Sequence, residues 1–333
     1  MSGGALLERI VGQPTALGTL RRALAEDRLH HALLFEGPAG VGKGFTAEAL
    51  AQALLCERRS GGLACGTCAS CMKVPRKDAN GRSVHPDFAT IARGMYDPAA
   101  IGRKTQETQE ISVDQVRTVV LARIALGPVL GVGRLFLVRD ADELSTAAAN
   151  AILKTLEEPP ARTYFVLTTT RPGELLPTIR SRTQRIRFAP LPEEALAHVL
   201  VSEGHDAAQA RSIAKDAQGS LETARAKLQG GENETAKTWV SAFEAALADK
   251  TFAGSLRASE ASKGSRDAVA MGLEAFAAHL VEEARTSVGE RSPKALRAAE
   301  RHVRVQKALR QLEGNGAPQL VVEALLADLR SVP

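Results

Sequence analysis

No segment constrains this chain more than Gly37-Pro38-Ala39-Gly40-Val41-Gly42-Lys43-Gly44. Glycines and a lysine at this spacing build a loop whose backbone N–H groups cradle phosphate oxygens, and such a loop works only between a strand and a helix N-terminus. Both neighbours are present: Leu33-Leu34-Phe35 is an apolar run, and Phe45 to Leu55 carries apolar and small residues at helical spacing. The last position breaks the pattern. Where a Ser or Thr hydroxyl would reach Mg²⁺, Gly44 offers only hydrogen. Gly37, Gly40, Gly42 and Lys43 are therefore candidate nucleotide-binding residues of a vestigial kind. Binding of ATP or ADP without turnover stays open.

Leu135-Phe136-Leu137-Val138 and Tyr164-Phe165-Val166-Leu167 read as two further buried strands, with a helix over Thr146 to Leu156 between them. This pattern predicts an α/β domain on a parallel sheet over residues 1–188. After Pro190 the periodicity becomes helical, with predicted helices Glu193 to Ser202, Ala207 to Ala217 and Leu221 to Leu228 forming a small helical domain over 189–231. Gly230-Gly231 interrupts it. Residues 232–333 show helical period only, broken near Ser292-Pro293 and between Gly314 and Pro318, and predict an all-helical third domain.

Cys56, Cys65, Cys68 and Cys71 are all the cysteines of the chain, spaced C-x8-C-x2-C-x2-C inside one loop, 56–71. Four thiolates so placed match a closed, structural Zn²⁺ site better than two disulfides, and Gly61, Gly62 and Gly66 supply tight turns around it. His30, His31 and His85 show no ligand spacing of their own. A net charge of +5 comes without any Lys/Arg block, so charge alone does not argue for a nucleic-acid binder, and a zinc-dependent DNA-reading module lacks its basic stripe. The first nine residues have no export signal and no apolar run is long enough to span a membrane, so the expectation is a cytoplasmic protein without membrane partners.

Ala147-Ala148-Ala149-Asn150-Ala151-Ile152-Leu153-Lys154-Thr155-Leu156-Glu157-Glu158-Pro159-Pro160, followed by Ser181-Arg182-Thr183, resembles the AAA+ subunits of the bacterial DNA polymerase III clamp loader. The cysteine spacing, Ile10-Val11-Gly12-Gln13 and His85-Pro86-Asp87 agree with that resemblance, which covers about Leu6 to Leu228. It implies an AAA+ domain, a helical lid and a helical collar domain that assembles with other subunits. Two kinds of subunit share these motifs: the ATP-hydrolysing gamma/tau motor and the delta-prime subunit, which does not hydrolyse.

Three positions favour the second kind. Gly44 lacks the metal-binding hydroxyl. Counting back from Asn150, the Asp-Glu pair that the motor carries at the end of its strand falls on Arg139 and Asp140, which puts a cation where Mg²⁺ would sit. A rival register takes Asp142-Glu143 as that pair, at the expense of a strand prolonged through Ala141 and a gap before Asn150. In Gly219-Ser220-Leu221-Glu222, Glu222 stands where the resemblance implies a phosphate-facing arginine. Meanwhile Arg182 keeps the place of an arginine presented in trans to the ATP of a neighbouring subunit, the alternative being a local ion pair. Thr183 replaces the usual cysteine of that segment, and Thr169 falls at the sensor-1 position. The expectation is a delta-prime-like subunit, without independent ATPase activity, that works with gamma/tau and delta subunits and, through the complex, with the sliding clamp and primed DNA. The alternative is the gamma/tau motor itself.

Overall fold

The computed structural model describes residues 5–103, 110–130, 132–228, 234–248, 266–287, 293–313 and 316–331. The chain divides into two compact units, Met1–Ala226 and Lys227–Pro333.

The first unit is built on five parallel strands: β1 (Ala32–Glu36), β2 (Phe88–Ile91), β3 (Arg134–Val138), β4 (Thr163–Thr169) and β5 (Gln184–Arg187), in the order β2-β3-β4-β1-β5. The predicted parallel sheet is present, with two strands more than the apolar runs indicated. Successive side chains of a strand point to opposite faces, and each face has its own core. Leu33 and Phe35 of β1 and Leu135 and Leu137 of β3 join one cluster with the helices α1 (Pro14–Ala25) and α2 (Lys43–Leu54). Leu34, Phe136, Val138 and Phe165 join a second cluster with the helix Thr146–Glu157. Each such large side chain, fully withdrawn from water, contributes about 1.5–3 kcal/mol.

The cysteine-bearing segment belongs to the first of these cores, since Cys56, Cys68, Cys71, Ala64 and Val74 are all buried in it. Gly62 shows how closely it lies on α1: at φ +82°, a Cβ there would stand 2.8 Å from the Ala25 nitrogen and 2.9 Å from the Leu24 carbonyl carbon. Only glycine fits. After β5 come the helices Glu193–Ser202, Ala207–Asp216 and Leu221–Leu228, close to their sequence-predicted bounds.

The second unit consists of helices Glu234–Ala248, Arg266–Ser287, Pro293–Glu313 and Pro318–Arg330 around a core of its own that includes Trp239, Phe243, Phe276 and Leu326. The last two helices start on Pro293 and Pro318, at the predicted breaks, where proline has no N–H to lose. Gly230-Gly231 lies outside the described residues. No helix among the described residues is long and apolar enough to cross a membrane.

Candidate functional site

β1, β3 and β4 are parallel, with Glu36 in register with Thr169 and Val138 with Leu167, so Gly37, Arg139 and the end of β4 emerge along one edge of the sheet. The carboxyl edge of a parallel sheet is where ligands of such folds bind. Gly37 N–H donates to the Thr169 carbonyl at 3.3 Å, and Gly42, left-handed at φ +96°, caps α2. Lys43 is only 7% exposed; its Nζ donates to the loop's own carbonyls, Gly37 O at 2.6 Å and Pro38 O at 2.5 Å. Burial pushes its pKa down, against the pull of Asp140, Asp142 and Glu222.

The helix that starts at Leu221 sits against this loop. Leu221 N–H donates to the Gly40 carbonyl at 2.9 Å. A Cβ on Gly40, itself at φ +72°, would stand 2.1 Å from Ser220 Oγ and 3.0 Å from Glu222 Cβ. The loop thus carries an acidic helix start against it, with Glu222 opposite Lys43 where the resemblance implied an arginine.

β3 ends at Val138, and Ala141–Glu143 is a 3-10 turn, so the prolonged strand that the rival register requires is not formed. Arg139 Nη2 lies 3.6 Å from Glu48 Oε1 and 4.0 Å from the point a Cβ on Gly44 would occupy. The guanidinium therefore stands beside the position of the missing hydroxyl. Asp140 follows at φ +46°, its carboxyl raised by burial and then by Asp142, with Lys43 and Arg139 opposing. Asp142, which sequence reasoning weighed only in the rival register, is nearly buried and accepts hydrogen bonds from Thr169 Oγ1 (2.6 Å) and Arg171 Nε (3.0 Å). Thr169 also accepts from Arg171 N–H at 2.9 Å, so its hydroxyl is engaged within the chain.

The four cysteines are free thiols brought together, with every Sγ within 4.8 Å of the others. Cys56 and Cys68 are separated by 4.0 Å and Cys65 and Cys71 by 3.9 Å, close to the roughly 3.8 Å edge of a tetrahedron with metal–sulfur bonds of about 2.3 Å. N–H groups point at the sulfurs, Cys65 N to Cys56 Sγ at 3.2 Å and Cys71 N to Cys68 Sγ at 3.4 Å. Such bonds favour thiolate. The cluster can hold a metal ion.

Arg182 makes its contacts elsewhere: its Nε donates to Glu157 Oε1 at 2.5 Å and its Nη1 to the Thr178 carbonyl at 3.0 Å. Two structural residues had no functional signal in the sequence beyond the resemblance. Gln13 donates to the carbonyls of Val41 in the glycine loop (3.2 Å) and Ala189 (2.7 Å), and accepts from Ala189 N–H at 3.1 Å, tying the loop to the exit of the sheet. Asp87 of His85-Pro86-Asp87 is buried and accepts from Val129 N–H (2.6 Å) and Leu130 N–H (2.8 Å), holding the turn that leads into β3. Burial lowers the pKa of His85, whose Nδ1 accepts from Asp87 N–H at 3.1 Å. His30 and His31 stack on each other and bond backbone carbonyls.

Residues 12–192 match the family described as DNA polymerase III, delta subunit. The delta' subunit of Escherichia coli (strain K12) is 39% identical over 167 residues, 50% of this chain and 45% of that protein. The tau subunit of Salmonella typhimurium is 30% identical over 347 residues, 97% of this chain and 50% of that protein. The chain thus spans about half the length of these curated relatives, and they carry the names of both kinds of subunit. A crystal structure of a DNA polymerase III gamma subunit-related protein from Thermotoga maritima shares the fold, with a TM-score of 0.52 at 19% identity over 95% of this chain and 98% of that one. The glycine loop, the cysteine cluster, Arg139 and Arg182 all fall inside the matched residues, which are more than half of the 333, and the chain belongs to the DNA polymerase III delta-subunit family, a family of clamp-loader AAA+ proteins.

Proposed function

We propose that this chain is the non-hydrolysing, delta-prime kind of clamp-loader subunit, which completes a neighbouring subunit's ATP site rather than running its own. The observation that carries this reading is the Arg139 guanidinium beside Gly44. A divalent ion about 4 Å from a guanidinium is opposed by up to about 8 kcal/mol at an effective dielectric near 20, less with solvent screening. Gly44 supplies no hydroxyl to offset that. Glu222 against Gly40 adds a negative charge that weakens phosphate binding, and with Gly44 and Arg139 opposing Mg²⁺ any nucleotide bound at Gly37, Gly40, Gly42, Lys43 and Thr169 would be held without turnover.

In this reading, residues 189–231 are a lid and 232–333 a collar domain that assembles with gamma/tau and delta subunits in the cytoplasm. The sliding clamp and primed DNA are reached through the complex. Cys56, Cys65, Cys68 and Cys71 hold one structural Zn²⁺, which supplies no reaction chemistry and cross-links the loop 56–71 into the first core. Arg182 is offered in trans to the neighbour's γ-phosphate.

The gamma/tau motor is the second reading, supported by the tau relative that aligns along 97% of this chain. Steady-state hydrolysis assayed with ATP and Mg²⁺, with and without primed DNA, separates the two. The purified chain is expected to show no turnover, and Gly44→Ser alone to restore none, because Arg139 still faces the metal position. Hydrolysis by the unmodified chain that disappears in Lys43→Ala would establish the motor instead.

A further inference from the structure

The four thiols of the cysteine cluster are not equivalent. Cys56, Cys68 and Cys71 are 4%, 6% and 1% exposed, whereas Cys65 is half-buried. Cys56 and Cys68 receive backbone N–H groups from within the cluster. Cys65 receives one too, from Cys68 at 3.3 Å, but it is also approached by side chains: Arg58 Nη2 at 3.9 Å and Thr67 Oγ1 at 3.8 Å. Among the described residues it is the one cysteine of the four with side-chain N–H or O–H donors. Those two donors are joined, since Arg58 Nη2 also donates to Thr67 Oγ1 at 3.2 Å.

A divalent metal with four thiolates has a net charge of two minus, and this charge rests most lightly where water or a nearby cation can answer it. Arg58 is such a cation, exposed and two residues past the first ligand, whereas the adjacent Arg59 is committed to Asp27 at 2.7 Å. A closed tetrahedral site has no open position, so metal leaves only when one ligand lets go. The ligand that solvent, protons or a competing chelator can reach is Cys65, because the other three are sealed in the sheet's first core.

We propose that Cys65 is the exchange ligand of the cluster, the thiolate through which the metal enters and leaves, and that Arg58 and Thr67 act as positioning residues that clamp it on the metal. The inference rests on reading the cluster as a zinc site. The clamp works by charge and direction: the guanidinium offsets thiolate charge, and the threonine hydroxyl, held by that guanidinium, presents its hydrogen to the same sulfur. Neither residue touches the metal.

The test uses the full zinc-loaded chain and variants Arg58→Ala, Arg58→Lys, Thr67→Val and Thr67→Ser. Zinc release to a chromophoric chelator gives the off-rate. A short pulse of iodoacetamide followed by peptide mass mapping gives the first cysteine to be alkylated. Removing such an outer partner typically weakens a metal site about tenfold or more, so release is expected to be roughly tenfold faster in Arg58→Ala and Thr67→Val, partly restored by Lys and restored by Ser, with Cys65 alkylated first throughout. Melting temperatures of the metal-free variants are expected to equal that of metal-free wild type, which a residue acting only on the fold would not give. Release from both Arg58→Ala and Thr67→Val within about twofold of wild type, or first alkylation at Cys56, Cys68 or Cys71, would overturn the proposal while leaving the zinc reading intact. Metal analysis of wild type far below one zinc per chain would overturn the zinc reading, and the exchange-ligand proposal with it.

Discussion

Arg182 illustrates how a side chain can be paired and still be available. Its partner Glu157 ends the helix Thr146–Glu157, and the two side chains are 33% and 45% exposed. A pair at that exposure is worth about 0–1 kcal/mol, which a neighbouring subunit's phosphates could outbid by far. Arg182→Ala is therefore expected to leave the chain folded, with a stability change within about 1 kcal/mol. In a reconstituted loader the variant should assemble normally on gel filtration, while clamp- and DNA-stimulated ATP hydrolysis at the adjoining subunit falls, by as much as roughly 10³-fold if the guanidinium acts on the transferred phosphoryl group. Wild-type hydrolysis by a fully assembled Arg182→Ala complex would leave this residue as a surface ion pair with Glu157. Arg182, Gly44 and Arg139 could all be named from the sequence because each falls in, or is counted from, a fixed motif. Asp142 could not be placed in the same way. Its partners Thr169 and Arg171 lie 27 and 29 positions away, and only the pairing of β3 with β4 brings them together.

At the level of elements, apolar runs disclosed the three central strands because both faces of each are buried. β5 carries Gln184, Arg185 and Arg187 exposed around a single buried Ile186, which is what an edge strand needs and what a search for apolar runs misses. β2, Phe88-Ala89-Thr90-Ile91, is apolar but only four residues long and follows the cysteine-rich loop without a periodic flank. The three helices Glu193–Ser202, Ala207–Asp216 and Leu221–Leu228 were legible nearly to the residue because their amphipathic spacing is uninterrupted between clear breakers, whereas in residues 232–333 only the starts at Pro293 and Pro318 were marked, and the end of one helix at Ala248 and the start of the next at Arg266 were not. What the sequence could not reveal is how elements are tied across the fold, and Gln13 is the clearest case. Its side chain makes three hydrogen bonds that join the start of α1, the glycine loop at Val41 and the sheet exit at Ala189. Gln13→Ala leaves these backbone groups without their partner in a buried place, which is expected to destabilise the first unit by about 2–4 kcal/mol, read as a lowered urea midpoint at unchanged slope. A loss below about 0.5 kcal/mol would mean that water replaces the amide there.

For the whole molecule, the decisive feature is that the two units have separate cores. The cysteine cluster belongs to the first: Cys56, Cys68 and Cys71 are packed among α1, α2 and the sheet, so the loop that carries them is not a detachable appendage. The core built on Trp239, Phe243 and Phe276 lies wholly within Lys227–Pro333 and contains no cysteine. Binding of metal to the folded first unit alone shifts stability by linkage in that unit alone, because free energy gained from a ligand is confined to the cooperative element that must form for it to bind. With the proposed zinc bound at the four cysteines, its removal by a chelator under reducing conditions is therefore expected to lower the unfolding temperature of the first unit, and loss of near-ultraviolet signal from its Phe and Tyr side chains should report it. The second unit carries the chain's single tryptophan, so Trp239 fluorescence follows it independently. Its transition should keep its midpoint in metal-free protein, and a fragment spanning residues 227–333 should be helical and cooperative by itself. If Trp239 fluorescence instead shifts together with the first unit's signal when metal is removed, the two cores unfold as one cooperative block, and the cysteine cluster stabilises the entire chain.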